Sequence, residues 1–195
     1  MIRKGRRDMF RLRGYVKEYE VQESRDRNGV IKKTPVYIGA WYVRTAEEGM
    51  HQRLKRIYAA MAVLMSAVFL ACGLVDNAGN RNMVNALAYA LSCFPVVYYL
   101  IGMVAALRLG EKAERREYEM SVCRMHHSAV GIMVLYPIAV VAEVVSIFTA
   151  KRTISIMTEI IYLFLCVVMI MAAALVGYLC RKYPYRKTER KQEAE

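Results

Sequence analysis

Two glutamates, Glu143 and Glu159, stand inside long stretches of sequence that otherwise hold no charge. Burying an ionised side chain is costly, so a carboxylate in such a setting marks a site by default: it can hold a proton or bind a cation through its oxygens. Glu143 lies seven residues before the end of its apolar run, and Glu159 five residues after the start of the next. Because the chain reverses at Lys151-Arg152, both carboxylates come to a similar depth, roughly 8 to 10 Å in at 1.5 Å per residue. Asn82, Asn85, Tyr89 and Ser92 follow each other at spacings of three and four and form one stripe of a helix that enters from the same side. Tyr136, Ser146, Ser155, Thr158 and Tyr162 add hydroxyls at that level. The expectation is an outward-facing polar pocket built on Glu143, Glu159, Asn82, Asn85, Tyr89 and Ser146. The competing reading is structural, with Lys151 and Arg152 neutralising the carboxylates and the hydroxyls stabilising a helix turn.

Little else in the chain suggests chemistry. The five cysteines, Cys72, Cys93, Cys123, Cys166 and Cys180, form no CxxC pair and no zinc-ligand spacing, which argues against a metal centre and against a thiol oxidoreductase. His126 and His127 are adjacent, so on a helix they point about 100° apart and make poor joint ligands. No Walker loop, HExxH, dinucleotide glycine motif or nucleophile–base arrangement occurs. The chain is therefore read as non-enzymatic, with no catalytic residue, no metal and no cofactor assigned.

The elements that must carry the glutamates follow from how charge and apolar sequence are sorted. Hydrophobic residues make up 56% of the 195, mean hydropathy is +0.19, and the net charge of +12 is confined to blocks. A basic chain invites comparison with nucleic-acid binders, but uncharged runs of roughly 20 residues match the hydrocarbon thickness of a bilayer. The partner implied is the lipid bilayer, with no nucleic acid. Four runs qualify: 57–75, 83–107, 129–150 and 154–180. In lipid each must be helical, because its backbone groups have to be satisfied within the segment. The fold class predicted is an all-α membrane protein, four transmembrane helices arranged as two antiparallel hairpins, with a small N-terminal cytoplasmic β-hairpin.

Of the 29 Lys and Arg, 26 fall before 57, within 108–128 or after 180, and three fall in the two short connections. This positive-inside bias predicts a multi-pass protein of the plasma (inner) membrane with both termini and the central connection in the cytoplasm. Residues 1–13 have no apolar core, so the first span would serve as the insertion signal. The organisation expected is a basic arm at 1–14, a β-hairpin at 15–44, a capped helix and first transmembrane hairpin at 45–107, a charged linker at 108–128, a second transmembrane hairpin at 129–180, and a basic tail at 181–195. Small residues at four-residue spacing, such as Ala62 with Ser66 and Ala173 with Gly177, suit close helix packing.

Between the arm and the first span, two runs rich in Tyr, Val, Ile and Trp flank Asn28-Gly29, a strong signal for a two-residue turn. That turn would pair Val21 with Val36, Tyr19 with Ile38, Tyr15 with Tyr42 and Val16 with Trp41, leaving Pro35 opposite Gln22 at a non-hydrogen-bonded position. Thr45-Ala46-Glu47-Glu48 then reads as a capping box. Two strands alone are marginal in water, so the ribbon must lean on the bilayer, on the central connection or on another protein. Its aromatics Tyr15, Tyr19, Tyr37, Trp41 and Tyr42 suggest a docking surface. The leading functional expectation is thus an accessory or interaction protein, a four-helix anchor whose hairpin recognises a protein partner or a second copy, with anionic lipid headgroups against the basic arm. The alternative is a small oligomeric transporter or channel with a cation or proton site at Glu143 and Glu159.

Overall fold

A computed structural model describes residues 18–25, 31–77, 83–149 and 156–188, with 22–25 and 31–34 as backbone only. Four helices dominate: α1 (Glu48–Leu74), α2 (Met83–Leu107), α3 (Arg115–Thr149) and α4 (Ile156–Arg181). At 27, 25, 35 and 26 residues, all are long and apolar enough to cross a membrane. Their outward positions are apolar as well: Leu74, Met83 and Phe148 are 87%, 83% and 85% exposed. Inward positions recur at helical spacing, for example Tyr58, Ala62, Met65, Val68 and Cys72 on α1, and they meet partners from the other helices in one core. Each helix packs on two neighbours, in the ring α1, α2, α3, α4 and back to α1, and the most extensive contact is between α2 and α3.

That contact is close because small residues line it. A Cβ built on Gly102 would lie 3.2 Å from both the Met125 nitrogen and the Ser121 carbonyl oxygen, and 3.0 Å from Met125 Cγ. The α3 backbone comes this near where it forms a π-helical turn over Glu119–Cys123, a local widening that leaves carbonyls to be satisfied. Ser121 answers this by donating its hydroxyl to the Glu117 carbonyl at 2.7 Å, with Tyr118 O at 3.1 Å. Farther along, the Ser128 hydroxyl donates to the Pro95 carbonyl, and Gly131 leaves room for the Pro95 ring. Backbone cannot retreat as a side chain can, so Gly102→Ala is expected to destabilise the bundle by about 1–3 kcal/mol, the range for overpacking. Thermal unfolding in detergent checks it.

The helices are joined at one end by β-structure. Strand β3 (Trp41–Arg44) pairs antiparallel with β4 (Lys112–Glu114) on one edge and with β5 (Tyr185–Thr188) on the other. Segments that enter α1, leave α2 and leave α4 therefore meet in one three-stranded sheet. Beneath it, Tyr42 stacks on Tyr118 at 4.3 Å, Tyr183 stacks on Tyr185 at 5.4 Å, and His51 packs edge-on against Tyr183. The Lys55 ammonium donates to the carbonyls of Leu107 and Leu109, each at 2.9 Å, and so caps the C-terminal end of α2. Lys55→Met should lose about 1–2 kcal/mol, as expected when a charged hydrogen bond disappears and leaves carbonyls unmet; a chemical-denaturation midpoint measures it.

Several sequence expectations change here. Beyond an N-terminal hairpin, the fold adds the β4-β3-β5 sheet. The stretch 108–128, read as a charged linker, contains β4 and the start of α3, whose first turn carries the reciprocal capping box of Glu114 and Glu117. The capping box read at Thr45 does not form. Thr45 donates its N–H to the Pro184 carbonyl at 2.9 Å, continuing the strand, and the helix begins at Glu48 after Glu47.

The hairpin register also differs. In β1 (Tyr19–Arg25) and β2 (Ile31–Tyr37), Tyr19 pairs with Tyr37 and Val21 with Pro35, one residue from the expected match. The innermost pair, Arg25 with Ile31, leaves five residues between the strands, an odd number that a two-residue turn cannot supply. The Ile38 N–H donates to Glu18 O at 2.7 Å, which makes 18/38 a hydrogen-bonded pair. By alternation Pro35 falls at a non-hydrogen-bonded site, where its missing N–H costs nothing. Trp41 and Tyr42 belong to β3 and the other sheet, so their expected pairing with Val16 and Tyr15 is replaced by pairing with β4 and β5; Tyr15 and Val16 themselves lie outside the described residues.

Candidate functional site

At the end of the bundle remote from the three-stranded sheet, the Glu143 side chain is fully buried. α3 presents it inward because positions 132, 136, 139 and 143 share one helical face, all of them buried. Its Oε2 accepts two amide hydrogen bonds, from Asn77 Nδ2 at 2.6 Å and from Asn85 Nδ2 at 2.9 Å. The Tyr162 hydroxyl in turn donates to Asn85 Oδ1 at 3.1 Å. One carboxylate thus gathers the residue three places past α1, the first turn of α2, the body of α3 and the second turn of α4. Charge-assisted bonds of this kind are about twice as strong as neutral ones, and more so in a low-dielectric interior. Asn77 Oδ1 is buried and finds no hydrogen-bond partner among the described residues.

Glu159 is also buried, one turn before Tyr162 on the inward face of α4. The remaining members of the expected pocket are placed differently. Tyr89 turns to α1: its ring stacks on Phe69 at 4.8 Å, its hydroxyl donates to the Phe69 carbonyl at 3.2 Å, and it presses on Gly73. Ser146 donates to the Ala142 carbonyl of its own helix at 2.7 Å. Asn82, with Ser155, Lys151 and Arg152, lies outside the described residues. The sequence reading missed Asn77, although Asp76-Asn77 directly after the first apolar run carried the signal: polar side chains at the same membrane level as Asn85. An open cavity of about 470 Å³ does lie at this end, between Val84 of α2 and Pro137, Ile138, Val141, Ala142 and Val145 of α3, but its lining is apolar and faces outward.

The hairpin aromatics turn toward the protein. Tyr37 is 7% exposed and sits between Tyr19 and Trp41, with ring centroids at 5.2 and 5.0 Å. Its hydroxyl lies 3.2 Å from Glu18 Oε2 and 3.0 Å from the Ala40 carbonyl, and accepts the Arg115 N–H at 3.2 Å. Arg115 also pairs with Glu18 at 3.0 Å and Glu119 at 2.7 Å. Tyr19 donates to the Glu114 carboxylate. That bond, with burial adding to it, pushes the Tyr19 phenol up to about 12, and burial foremost raises Tyr37 and Tyr42. Ribbon and bundle are thus tied together at the start of α3.

Fold and site together define a class: a bundle of four membrane-length helices, sheathed in apolar side chains, tied at one end by a small sheet and at the other by a buried carboxylate. Comparison adds no relative, since no family model, no curated protein and no solved structure matches the chain.

Proposed function

We propose that the chain is a non-enzymatic integral membrane protein of the transporter or channel class, in which Glu143 is a proton or small-cation site. The observation that carries this is the buried Glu143 carboxylate held by Asn77 and Asn85, with a second buried oxygen, Asn77 Oδ1, left to meet a proton donor or cation. Buried carboxylates among membrane helices serve such roles by default, and oxygen ligands suit hard cations. In this reading the four helices cross the bilayer as two antiparallel hairpins. The meeting of β3, β4 and β5 supports it, because each pair of intervening helices must return to the end it left. The positive-inside bias supports a cytoplasmic placement of that end, with the Glu143 cluster toward the outer surface of a plasma (inner) membrane.

Proteoliposomes test the proposal, with proton and alkali-cation fluxes followed after an imposed gradient. Glu143→Gln keeps the shape and removes the charge, and flux should fall at least tenfold while the protein stays folded. Equal flux in both proteins would end the proposal. A second reading, partner docking by the hairpin, retains support from Val21 and Ile38, which are 58% and 40% exposed, whereas Tyr37 is occupied internally.

A further inference from the structure

Arg124 stands where an arginine is costly. It follows the π-helical turn of α3, and the backbone nitrogen of the next residue, Met125, lies against Gly102 of α2. Gly102 is six residues, roughly 9 Å at 1.5 Å per residue, along α2 from Arg108 at the sheet end, and α2 itself carries no charge. The Arg124 guanidinium carbon lies 4.8 Å from the centroid of the Tyr98 ring. Tyr98 and Ile101, one turn apart on α2, are both exposed on the apolar outside of the bundle. Arg124 Nε is buried without a hydrogen-bond partner, and among the described residues the side chain makes no hydrogen bond or ion pair. Stacking occupies only a face of the guanidinium, so the N–H donors in its plane stay available to a two-pronged acceptor. His127, three residues on along the same side of α3, is exposed, with its Nδ1 2.6 Å from the Cys123 carbonyl. A carbonyl only accepts, so Nδ1 carries the proton there and Nε2 is the ring's remaining polar atom.

We infer that Arg124, stacked on Tyr98, holds the phosphate of one anionic phospholipid against the outer face of α2 and α3. A cation in apolar surroundings with no carboxylate beside it is stabilised by an anion, and here the surroundings themselves supply one. Two phosphate oxygens match the fork of guanidinium N–H groups, and the bond is strong where water is scarce. The acyl chains then lie along Ile101 and its neighbours, which is why the occupant is a lipid and not a soluble phosphate. A headgroup without an ammonium is favoured, because Lys and Arg are concentrated at the sheet end and repel a second cation. A hydroxyl on that headgroup could donate to His127 Nε2. This site is separate from the basic arm at 1–14. It rests on the helices crossing the bilayer, and it does not depend on what Glu143 carries at the other end of the bundle.

Native mass spectrometry of the full chain tests this. The protein is reconstituted in equal parts of phosphatidylglycerol, phosphatidylethanolamine and phosphatidylcholine with matched chains, then extracted in mild detergent. One phosphatidylglycerol should stay bound, enriched about fivefold or more over either other lipid. Arg124→Gln should lower that occupancy by about the same factor, whereas Arg124→Lys, which keeps the charge but not the fork, should lower it less. Circular dichroism checks that the variants remain helical; should Arg124→Gln fail to fold, the wild-type preference and Arg124→Lys decide. Lys187→Gln, an exposed charge on β5, should leave the lipid in place. The readout is lipid mass and not ion flux, so this inference and the ion site fail separately. No retained lipid, equal retention of all three, an unchanged adduct in a folded Arg124→Gln, or displacement by soluble glycerol phosphate would overturn it.

Discussion

Replacing Glu143 with alanine is expected to destabilise the bundle by about 3 kcal/mol or more, in contrast to about 1–2 kcal/mol for glutamine. The carboxylate is the acceptor for two buried amide donors, from Asn77 and Asn85. Alanine leaves both N–H groups facing an empty apolar space, and each unmet buried donor costs about 1–3 kcal/mol on top of the cavity. Glutamine keeps one carbonyl oxygen that still accepts them and loses only the charge assistance. Denaturation in detergent separates the two, and the order matters more than either value: an alanine variant as stable as the glutamine variant would mean that the asparagine bonds carry no weight. The contrast also gives the flux measurement its meaning, since Glu143→Gln removes the titratable group with the smaller structural cost.

Tyr37→Ala should release the hairpin from the bundle while leaving the helices intact. The ring is wedged between Tyr19 and Trp41, and its hydroxyl links Glu18, Ala40 and Arg115. Truncating a buried aromatic costs about 3–5 kcal/mol, more than a two-stranded ribbon holds by itself. Hydrogen exchange should show lost protection in 19–25 and 31–37, with α2 to α4 unchanged. Retained protection there would mean that the remaining contacts, Tyr19 with Glu114 and Arg115 with Glu18, suffice to dock the ribbon. Tyr37→Phe keeps the ring and should lose only the hydroxyl bonds, about 1 kcal/mol.

The four long helices were readable because their lengths and lack of charge leave one solution, whereas strand pairing depends on details that local sequence does not carry. Asn28-Gly29 pointed to a two-residue turn, and the pairing is set instead by the docking of Tyr37 against Arg115, which places Tyr19 opposite it. β4 and β5 are three and four residues long, rich in Lys and Arg, and find β3 some 70 and 140 residues away; nothing in KAE or YRKT announces a strand. At the carboxylate cluster, a charge inside an otherwise uncharged run pointed to Glu143, and helical period pointed to Asn85, which donates to it. The same period also implicated Tyr89, but the inward face of α2 runs through Asn85, Ala88 and Ser92, so Tyr89 is rotated toward α1. Asn77 escaped because it follows a helix, where period gives no direction.

Whether Glu143 exchanges its proton or a cation, or is only a clasp, is best decided by isotope-edited infrared spectroscopy of the reconstituted protein with labelled glutamate, titrated from about pH 4 to 9 and with alkali cations. The expected result is a carboxyl band from a buried glutamate that changes with pH or cation and is missing from Glu143→Gln. A band that stays constant throughout, or a changing band that survives in Glu143→Gln, would contradict a binding site at this residue.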